Sequence, residues 1–278
     1  MKNDKNTIEQ LERTAAELRA TLVRMSHESR ASHLGSAMSC ADIVVALYWK
    51  ILGLSAENIN SPDRNRFILS KGHAVSALYA ALGHKGIIEK SLLKTYCRPG
   101  SDLEEHPGPN TLPGVEAATG SLGHGVSLGA GMALAGKIKG KDYYVYVLSS
   151  DGECNEGSVW EAALNAAAKD LNRLCVIIDF NKWQATGRSR EITALDPLCE
   201  KWQSFGWHTL EIDGHDMGTL VEKLHMSNLH PDKPTAVIAH TVKGKGVSFM
   251  EDDNNWHYRI PGREDLEKAL FELGGHHE

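Results

Sequence analysis

Residues 143–181 read YYVYVLSSDGECNEGSVWEAALNAAAKDLNRLCVIIDFN, and this stretch decides the fold of the chain. The apolar run from Tyr143 to Leu148 predicts a strand, and the apolar run from Leu174 to Ile178 predicts a second strand. Residues 156–169 between them predict a helix. A strand, a helix and another strand in succession are typical of parallel strands joined by a right-handed crossover. The stretch therefore predicts two neighbouring parallel strands.

The alternation of strands and helices continues on both sides of this unit. Further helices are predicted at 7–25, 41–52, 74–82, 123–137 and 217–229. Further strands are predicted at 66–69, 207–212 and 235–239. We therefore expect an α/β fold with a doubly wound, mainly parallel sheet flanked by helices.

The whole chain is expected to form one domain. It has no internal repeat and no low-complexity linker, and its 278 residues suffice for one large α/β domain. Residues 97–120 are rich in Gly and Pro and lack periodicity, and such a segment inside a domain is usually functional or disordered. We predict a single domain over 1–278 with an N-terminal helical segment at about 1–30.

Composition and charge exclude several classes of protein. The net charge of -6 gives no support for binding to nucleic acid or to an anionic membrane. Residues 1–11 are polar, and no uncharged apolar stretch reaches the roughly 18–20 residues of a membrane span. The five cysteines are odd in number and lack paired spacing, which is typical of reduced thiols. We expect a cytoplasmic protein.

Each strand of the opening stretch ends at a side chain that carries an oxygen donor. Asp151 follows the first strand, and Asn181 follows the second. Because neighbouring parallel strands end side by side, both side chains are expected to face one cation. Carboxylate, amide and carbonyl oxygens favour a hard cation such as Mg²⁺ or Ca²⁺. Since Mg²⁺ takes its other ligands from water and phosphate, the pattern indicates a metal-bridged diphosphate site.

The same stretch resembles the thiamin-diphosphate signature. The patterns Glu153-x-x-Glu-Gly-x-x-Trp-Glu-Ala and Asn181-x-x-Gln-x-x-Gly are similar to transketolase, most of all to the N-terminal subunits of split transketolases. The resemblance covers nearly the whole chain. It implies the thiamin-diphosphate-binding fold, here its diphosphate-binding domain, with thiamin diphosphate and Mg²⁺ as cofactors. Ca²⁺ or Mn²⁺ is expected to substitute for Mg²⁺.

This resemblance also assigns ligands. It implies that the metal is held by Asp151, Asn181 and the backbone carbonyl of Trp183. It implies that the cofactor lies against a larger set of residues, which are His73, Gly120, Leu122, Gly152, Glu153, Asn181 and His257. Ser150 stands where the family has glycine, and the site tolerates serine if the local φ is negative.

Four histidines lie in segments that resemble transketolase active-site motifs. The resemblance implies that His73 and His257 contact the diphosphate, and that His33, His106 and His257 line the substrate channel as catalytic groups. Imidazoles suit that task because they donate or accept protons near neutral pH. Glu156 is a further predicted catalytic residue, which the family places at the contact between subunits. Its alternative interpretation is an ordinary acid in the first turn of a helix.

Other possible motifs fail on spacing. The segment from Asp151 is no EF-hand, because Ala162 stands where a Glu is needed. The glycines after Gly120 lack the spacing of a dinucleotide fingerprint, and Lys243-Gly-Lys-Gly lacks the order of a P-loop. A remaining group of histidines is expected to lie on the surface without ligand geometry: His208, His215, His225 and His230.

The resemblance implies one part of an enzyme that transfers a two-carbon ketol group from a ketose phosphate to an aldose phosphate. In transketolases, the pyrimidine pocket and most sugar-phosphate ligands lie in a second domain. We therefore expect a separate C-terminal subunit, with the two chains forming an α2β2 assembly. Two alternatives stay open. One is the equivalent half of a related enzyme, such as a deoxyxylulose-phosphate synthase or a transketolase for an unusual sugar. The other is a non-catalytic scaffold with the same fold.

Overall fold

Five parallel strands form one sheet in this computed structural model, which describes residues 5–108 and 111–274. The strands are β1 (Arg66–Leu69), β2 (Val145–Ser150), β3 (Leu174–Phe180), β4 (His208–Asp213) and β5 (Thr235–His240). Their order across the sheet is β1-β2-β3-β5-β4, and every neighbouring pair is parallel. The predicted fold class, a doubly wound parallel sheet, is confirmed.

Ten α-helices accompany the sheet in the described residues. They are α1 (Lys5–Ser29), α2 (Leu34–Ser39), α3 (Ala41–Ala46), α4 (Val75–His84), α5 (His124–Ile138), α6 (Gly157–Ala168), α7 (Ser189–Ile192), α8 (Leu198–Ser204), α9 (Met217–Leu224) and α10 (Arg263–Glu272). No helix in 5–108 or 111–274 is both long and apolar enough to cross a membrane.

The two faces of the sheet belong to two separate apolar cores, because successive side chains of a strand point to opposite faces. Phe67 and Leu69 of β1 pack into a core with α1, α3, α4 and α9. Ile68 packs into the second core, which α5, α6 and α8 cover. β2 and β3 are buried along their whole lengths, and this explains why their sequences are unbroken apolar runs.

Several helices and strands begin or end at residues other than the predicted ones. β1 has the predicted bounds, whereas β2 begins at Val145 and runs to Ser150. The helix predicted at 41–52 is α3 followed by a π-helical stretch, Leu47–Ile51. The helix predicted at 217–229 ends at Leu224, because His225 turns to an extended conformation. The described residues between Tyr96 and Gly123 form neither helix nor strand, as the sequence predicted. The first four residues of the predicted N-terminal helical segment lie outside the described residues.

Two glycines of α5 are expected to respond in opposite ways to alanine. A Cβ at Gly129 would overlap a methyl group of Val147 on β2, so Gly129→Ala should destabilise the chain by about 1–3 kcal/mol. A Cβ at Gly131 would meet nothing within 4 Å, so Gly131→Ala should stabilise it by about 0.5–1 kcal/mol. Urea unfolding of both variants measures the difference. Equal effects would contradict this packing of α5 on the sheet.

Candidate active site

The carboxyl ends of β2 and β3 lie side by side. Ser150 is in register with Asp179, so Asp151 and Asn181 follow the ends of two adjacent strands, as predicted. The exposed fractions of Asp151 and Asn181 are 0% and 3%. A carboxylate and an amide are therefore enclosed at the same edge of the sheet. Ser150 has no positive φ, which meets the condition for a serine at that position.

The carboxylate of Asp151 has only neutral donors in direct contact. Its Oδ1 accepts a hydrogen bond from the Gly152 amide at 2.9 Å, and its Oδ2 accepts one from Ser189 Oγ at 2.7 Å. Burial raises the pKa of Asp151 to about 6, and the neighbouring Asp179 charge also raises it. A nearby cation would stabilise such a buried carboxylate.

A tight turn follows Asn181. The Asn181 Oδ1 accepts a hydrogen bond from the Trp183 amide at 3.1 Å, and Lys182 between them has a φ of 70°. Such a side-chain turn is typical of Asn. The turn brings Trp183, whose carbonyl is the third predicted metal ligand, to the cleft above the strand ends.

A buried ion pair joins the ends of several strands. Lys71, which follows β1, pairs with Asp179 on β3, and both side chains are fully buried. Thr241 after β5 and Ser39 at the end of α2 also donate hydrogen bonds to Asp179. Burial is the largest effect and lowers the pKa of Lys71, but the surrounding groups, Asp179 first among them, together outweigh burial, and the pKa of Lys71 is raised. The pair therefore fixes β1, β3, β5 and α2 relative to one another.

A cleft of about 330 Å³ lies over these strand ends. Most predicted site residues line it: His33, His73, His106, Gly120, Leu122, Gly152, Glu156, Trp183 and His257. Other residues in the lining were not predicted as site residues: Ser36, Ser150, Asn155, Gln184, Ala185, Thr186 and Lys243. Segments that are far apart in sequence therefore line the same cleft.

The four predicted histidines lie together around His33. Its ring centroid is 5.0 Å from that of His257, 5.5 Å from that of His73 and 5.7 Å from that of His106. Burial lowers the pKa of His33 and His73. Burial and then the charge of Lys243 lower the pKa of His257 to about 3. These three imidazoles are therefore neutral at pH 7, and each offers one donor and one acceptor nitrogen.

Lys243 and Gln184 are the most informative lining residues that were not predicted. The Lys243 Nζ donates a hydrogen bond to Asn254 Oδ1 at 2.7 Å and lies 3.0 Å from His257 Nδ1. Burial, and then the charge of Lys71, lowers the pKa of Lys243 to about 8. The Gln184 Nε2 is buried without a hydrogen-bond partner among the described residues. Both residues belong to sequence motifs, Lys243-Gly-Lys-Gly and Asn-x-x-Gln. Neither motif predicts that its side chain is buried.

Glu153, predicted to contact the cofactor, lies beneath the cleft and outside its lining. It is fully buried, and its carboxylate accepts hydrogen bonds from Ser149 Oγ at 2.7 Å, from the Gly123 amide at 2.8 Å and from Ser70 Oγ. These contacts hold the glycine turn before α5 against the ends of β1 and β2. Glu156 lies at the exposed rim of the cleft, one residue before α6 begins.

The expectation that His215 is a surface residue was wrong. Its side chain is 13% exposed, and its Nδ1 lies 2.7 Å from an Asp42 carboxylate oxygen. Its Nε2 accepts a hydrogen bond from the Val242 amide at 2.8 Å, and Asp42 also pairs with Arg19 at 2.6 Å. The prediction failed because the neighbours of His215 in sequence are polar, whereas its partners come from α3 and from the segment after β5.

An ion pair closes the loop that contains Trp183. Arg188 donates hydrogen bonds to the two carboxylate oxygens of Asp252 at 2.7 and 2.6 Å, and its guanidinium lies 3.8 Å from the centroid of the Trp183 ring. The Trp183 indole also donates to Asp252 at 2.8 Å. The loop after Asn181 is thereby tied to the segment that leads to His257.

The donors present fit a Mg²⁺ ion and a diphosphate. No group of three His, Cys, Asp or Glu side chains suited to a metal exists in the described parts of the chain. One carboxylate, one amide and one carbonyl are oxygen donors of the kind that Mg²⁺ prefers. The direct contacts of Lys243 are an amide oxygen and an imidazole, so its charge is available to a phosphate. A Cβ at Gly152 would lie 3.1 Å from Gln184, so glycine keeps that space open.

Residues 11–278 match the family model described as "Transketolase, thiamine diphosphate binding domain". The chain belongs to the transketolase family. It is 39% identical over 266 residues to a subunit of the apulose-4-phosphate transketolase of Phocaeicola vulgatus, with 96% of this chain and 94% of that protein covered. It is 39% identical over 241 residues to 6-deoxy-6-sulfo-D-fructose transketolase subunit SqwG of Clostridium sp. strain MSTE9, with 87% and 88% covered.

Solved transketolases have the same fold. The transketolase of Campylobacter jejuni superposes with a TM-score of 0.88 at 29% identity, covering 96% of this chain and 43% of that one. The transketolase of Leishmania mexicana superposes with a TM-score of 0.89 at 27% identity, covering 95% and 41%. The chain therefore spans less than half of these transketolases. The predicted family and the thiamine-diphosphate-binding fold are confirmed.

Proposed function

We propose that this chain is the thiamine-diphosphate-binding subunit of a two-subunit transketolase. The complete enzyme transfers a two-carbon ketol group from a ketose phosphate to an aldose phosphate. The observation that carries the proposal is the convergence of four histidines and Lys243 over the ends of β2 and β3, next to Asp151 and Asn181. Family membership indicates which chemistry this arrangement supports, because the family binds thiamine diphosphate.

Three groups would hold the divalent cation. The Asp151 carboxylate supplies the negative charge, and Asn181 and the Trp183 carbonyl supply neutral oxygens. Such a set leaves coordination positions for water and for cofactor phosphate, as Mg²⁺ requires. Mn²⁺ or Ca²⁺ would substitute because they prefer the same oxygen donors.

The cofactor would lie along the cleft. When bound, thiamine diphosphate supplies the nucleophilic carbon that accepts the two-carbon unit. Lys243 and His73 would bind the diphosphate, while Gly152 and the Gly120–Leu122 turn would allow its close approach. Glu153 would act on this binding indirectly, because its carboxylate holds that turn in place.

The histidines would bind the reacting sugar. His33, His106 and His257 lie at the same cleft, and neutral imidazoles can accept a proton from one hydroxyl and donate one to another oxygen. Low pKa values support this role for His33 and His257, because a neutral ring keeps its acceptor nitrogen at pH 7. Glu156, at the exposed rim, would contact a neighbouring subunit.

A partner chain would complete the site. Three relatives that match along most of their length are each named as one subunit of a transketolase, which implies a second subunit. We propose that the partner carries the pyrimidine-binding and C-terminal domains and that the assembly is α2β2. The cofactor would then lie at the interface, and the open cleft of this chain supports that arrangement.

The sugar specificity is a separate part of the proposal. Two relatives are named for apulose 4-phosphate and one for 6-deoxy-6-sulfo-D-fructose, so a specialised sugar is a second candidate beside the ordinary pentose and hexose phosphates. The residues that would bind the far end of the sugar are expected on the partner. The equivalent half of a deoxyxylulose-phosphate synthase is a weaker alternative, because the named relatives are transketolases.

The decisive experiment is reconstitution. The chain would be purified alone and together with a candidate partner chain that has the pyrimidine-binding domain, and ketol transfer would be assayed with a panel of ketose phosphates. Activity is expected only when both chains, thiamine diphosphate and Mg²⁺ are present. Robust activity of this chain alone would contradict the two-subunit proposal. Cofactor binding without transfer from any tested ketose would favour the non-catalytic scaffold.

Two further proposals concern the chain as a whole. We propose that residues 1–278 form one domain, which is supported by the single sheet, with helices on both faces, that the described residues form. We also propose a cytoplasmic enzyme. The five cysteines are all free thiols, as expected in a reducing compartment.

A further inference from the structure

We infer that Ser32 and Glu105 are positioning residues that hold His33 as one tautomer, with Nδ1 protonated and Nε2 left as a free acceptor at the cleft. This inference rests on the proposed function, in which His33 binds the sugar. Neither Ser32 nor Glu105 lines the cleft, and neither was predicted from the sequence. Ser32 and Glu105 would therefore affect sugar binding only through the His33 ring.

The geometry is a short chain of polar groups. The Ser32 hydroxyl donates a hydrogen bond to Glu105 Oε1 at 2.9 Å. The same hydroxyl lies 3.1 Å from His33 Nδ1, and Glu105 Oε1 lies 3.4 Å from that nitrogen. All three groups therefore meet on the Nδ1 side of the His33 ring.

The tautomer follows from the donor inventory. A carboxylate only accepts hydrogen bonds, so the single proton of the Ser32 hydroxyl points to Glu105. The Ser32 oxygen then offers only lone pairs to His33, and Glu105 offers only lone pairs as well. Nδ1 must therefore carry the proton, which leaves Nε2 as the acceptor. The described residues form no hydrogen bond with Nε2.

The backbone of His33 is also held in one conformation. Its φ is 69°, in the left-handed region that non-glycine residues rarely adopt. The His33 amide donates a hydrogen bond to the His257 carbonyl at 2.7 Å, and its own carbonyl accepts from Ser36 and Ala37 at 3.2 Å. A strained residue fixed at both ends places its side chain accurately, which is typical of functional sites.

Several titratable groups face His33, and the charges of two of them, His106 and Lys243, lower its pKa. Those that face the ring from the neighbouring segments are His73, His106, His257, Tyr258 and Lys243. Burial is the largest cause of the lowered pKa of His33, and the Glu105 charge opposes it. Among the residues that the structure describes, Glu105 is the acidic side chain that contacts the ring. It would stabilise the imidazolium that forms when Nε2 takes the proton of a sugar hydroxyl, until that proton is returned.

The test uses NMR of the ¹⁵N-histidine-labelled full chain, with His33→Asn to assign the signal. In the wild type, His33 should be protonated at Nδ1. In Glu105→Gln it should become a mixture of tautomers, and its pKa should fall by roughly 0.5–1 unit, because an anion has been removed from a half-exposed position. Ser32→Ala should disturb the tautomer and leave the charge of Glu105 in place. Glu211→Gln is the matched control, since Glu211 pairs with His240 at 2.6 Å outside the cleft.

The reconstituted two-subunit enzyme provides a second readout. Glu105→Gln should lower kcat/KM about tenfold and shift its acid limb to lower pH, with the affinity for thiamine diphosphate unchanged. A wild-type His33 protonated at Nε2, or a Glu105→Gln chain with unchanged tautomer and pKa, would overturn the inference. Absence of ketol transfer in the wild-type complex would instead contradict the proposed function. The NMR result would still decide the roles of Ser32 and Glu105.

Discussion

Replacing Asp151 by alanine is expected to weaken the Mg²⁺-dependent binding of thiamine diphosphate by at least about a hundredfold, since changes to groups that only support a metal ligand already cost 10–100-fold. Asp151 is the single carboxylate among the three proposed ligands, so its loss removes the charge that compensates the cation. Calorimetry of the assembled two-subunit complex, with and without Mg²⁺, measures the change. Asp232→Ala, at an exposed loop position, is the matched control.

The same variant is expected to keep its fold without metal. Burial raises the pKa of Asp151 to about 6, so above that pH the folded chain holds an ionised carboxylate that is costly to bury. Removing that carboxylate should not lower the urea midpoint of the metal-free chain at pH 8. Unchanged cofactor affinity in a folded Asp151→Ala complex would refute the metal site.

Replacing Lys71 by methionine is expected to destabilise the chain by about 3–5 kcal/mol, because it leaves the buried carboxylate of Asp179 without its cation. Urea unfolding measures this effect. Lys223→Met is the matched control, since Lys223 pairs with Glu222 at 2.8 Å on the surface and should cost less than about 1 kcal/mol.

A double variant separates charge from packing at this ion pair. Lys71→Met combined with Asp179→Asn removes the unpaired charge and keeps an oxygen that can accept from Thr241 or Ser39. It should be more stable than Lys71→Met alone. A loss equal to the sum of the two single changes would show that the pair does not act as a unit.

The strand ends of the site were predictable from local sequence. β2 and β3 are buried on both faces, so their sequences are continuous apolar runs whose ends are marked by Asp151 and Asn181. Parallel strands joined by one helix lie side by side, and that rule alone placed the two residues together. The family motifs then indicated the histidines, which the structure brings to one cleft.

Burial of polar groups was not predictable in the same way. His215 lies in a polar stretch, yet its ring contacts Asp42, which is 173 positions earlier in the chain and pairs with Arg19. Lys243 lies in a motif that lacks the order of a P-loop, and its position beside His257 depends on a turn that no local pattern marks. Ser32 and Glu105 meet across 73 positions of chain, so only the folded protein pairs them.

The sequence by itself determined the parallel sheet, the edge of the sheet where we propose the site and the family, because apolar periodicity and short motifs are local properties. Only the tertiary structure decided which charges are buried together and which face the cleft. Glu153 supports a turn, Lys71 neutralises Asp179, and Lys243 stays available to a phosphate. These roles depend on contacts between distant segments, and a pKa or a tautomer responds to such contacts rather than to neighbours along the chain.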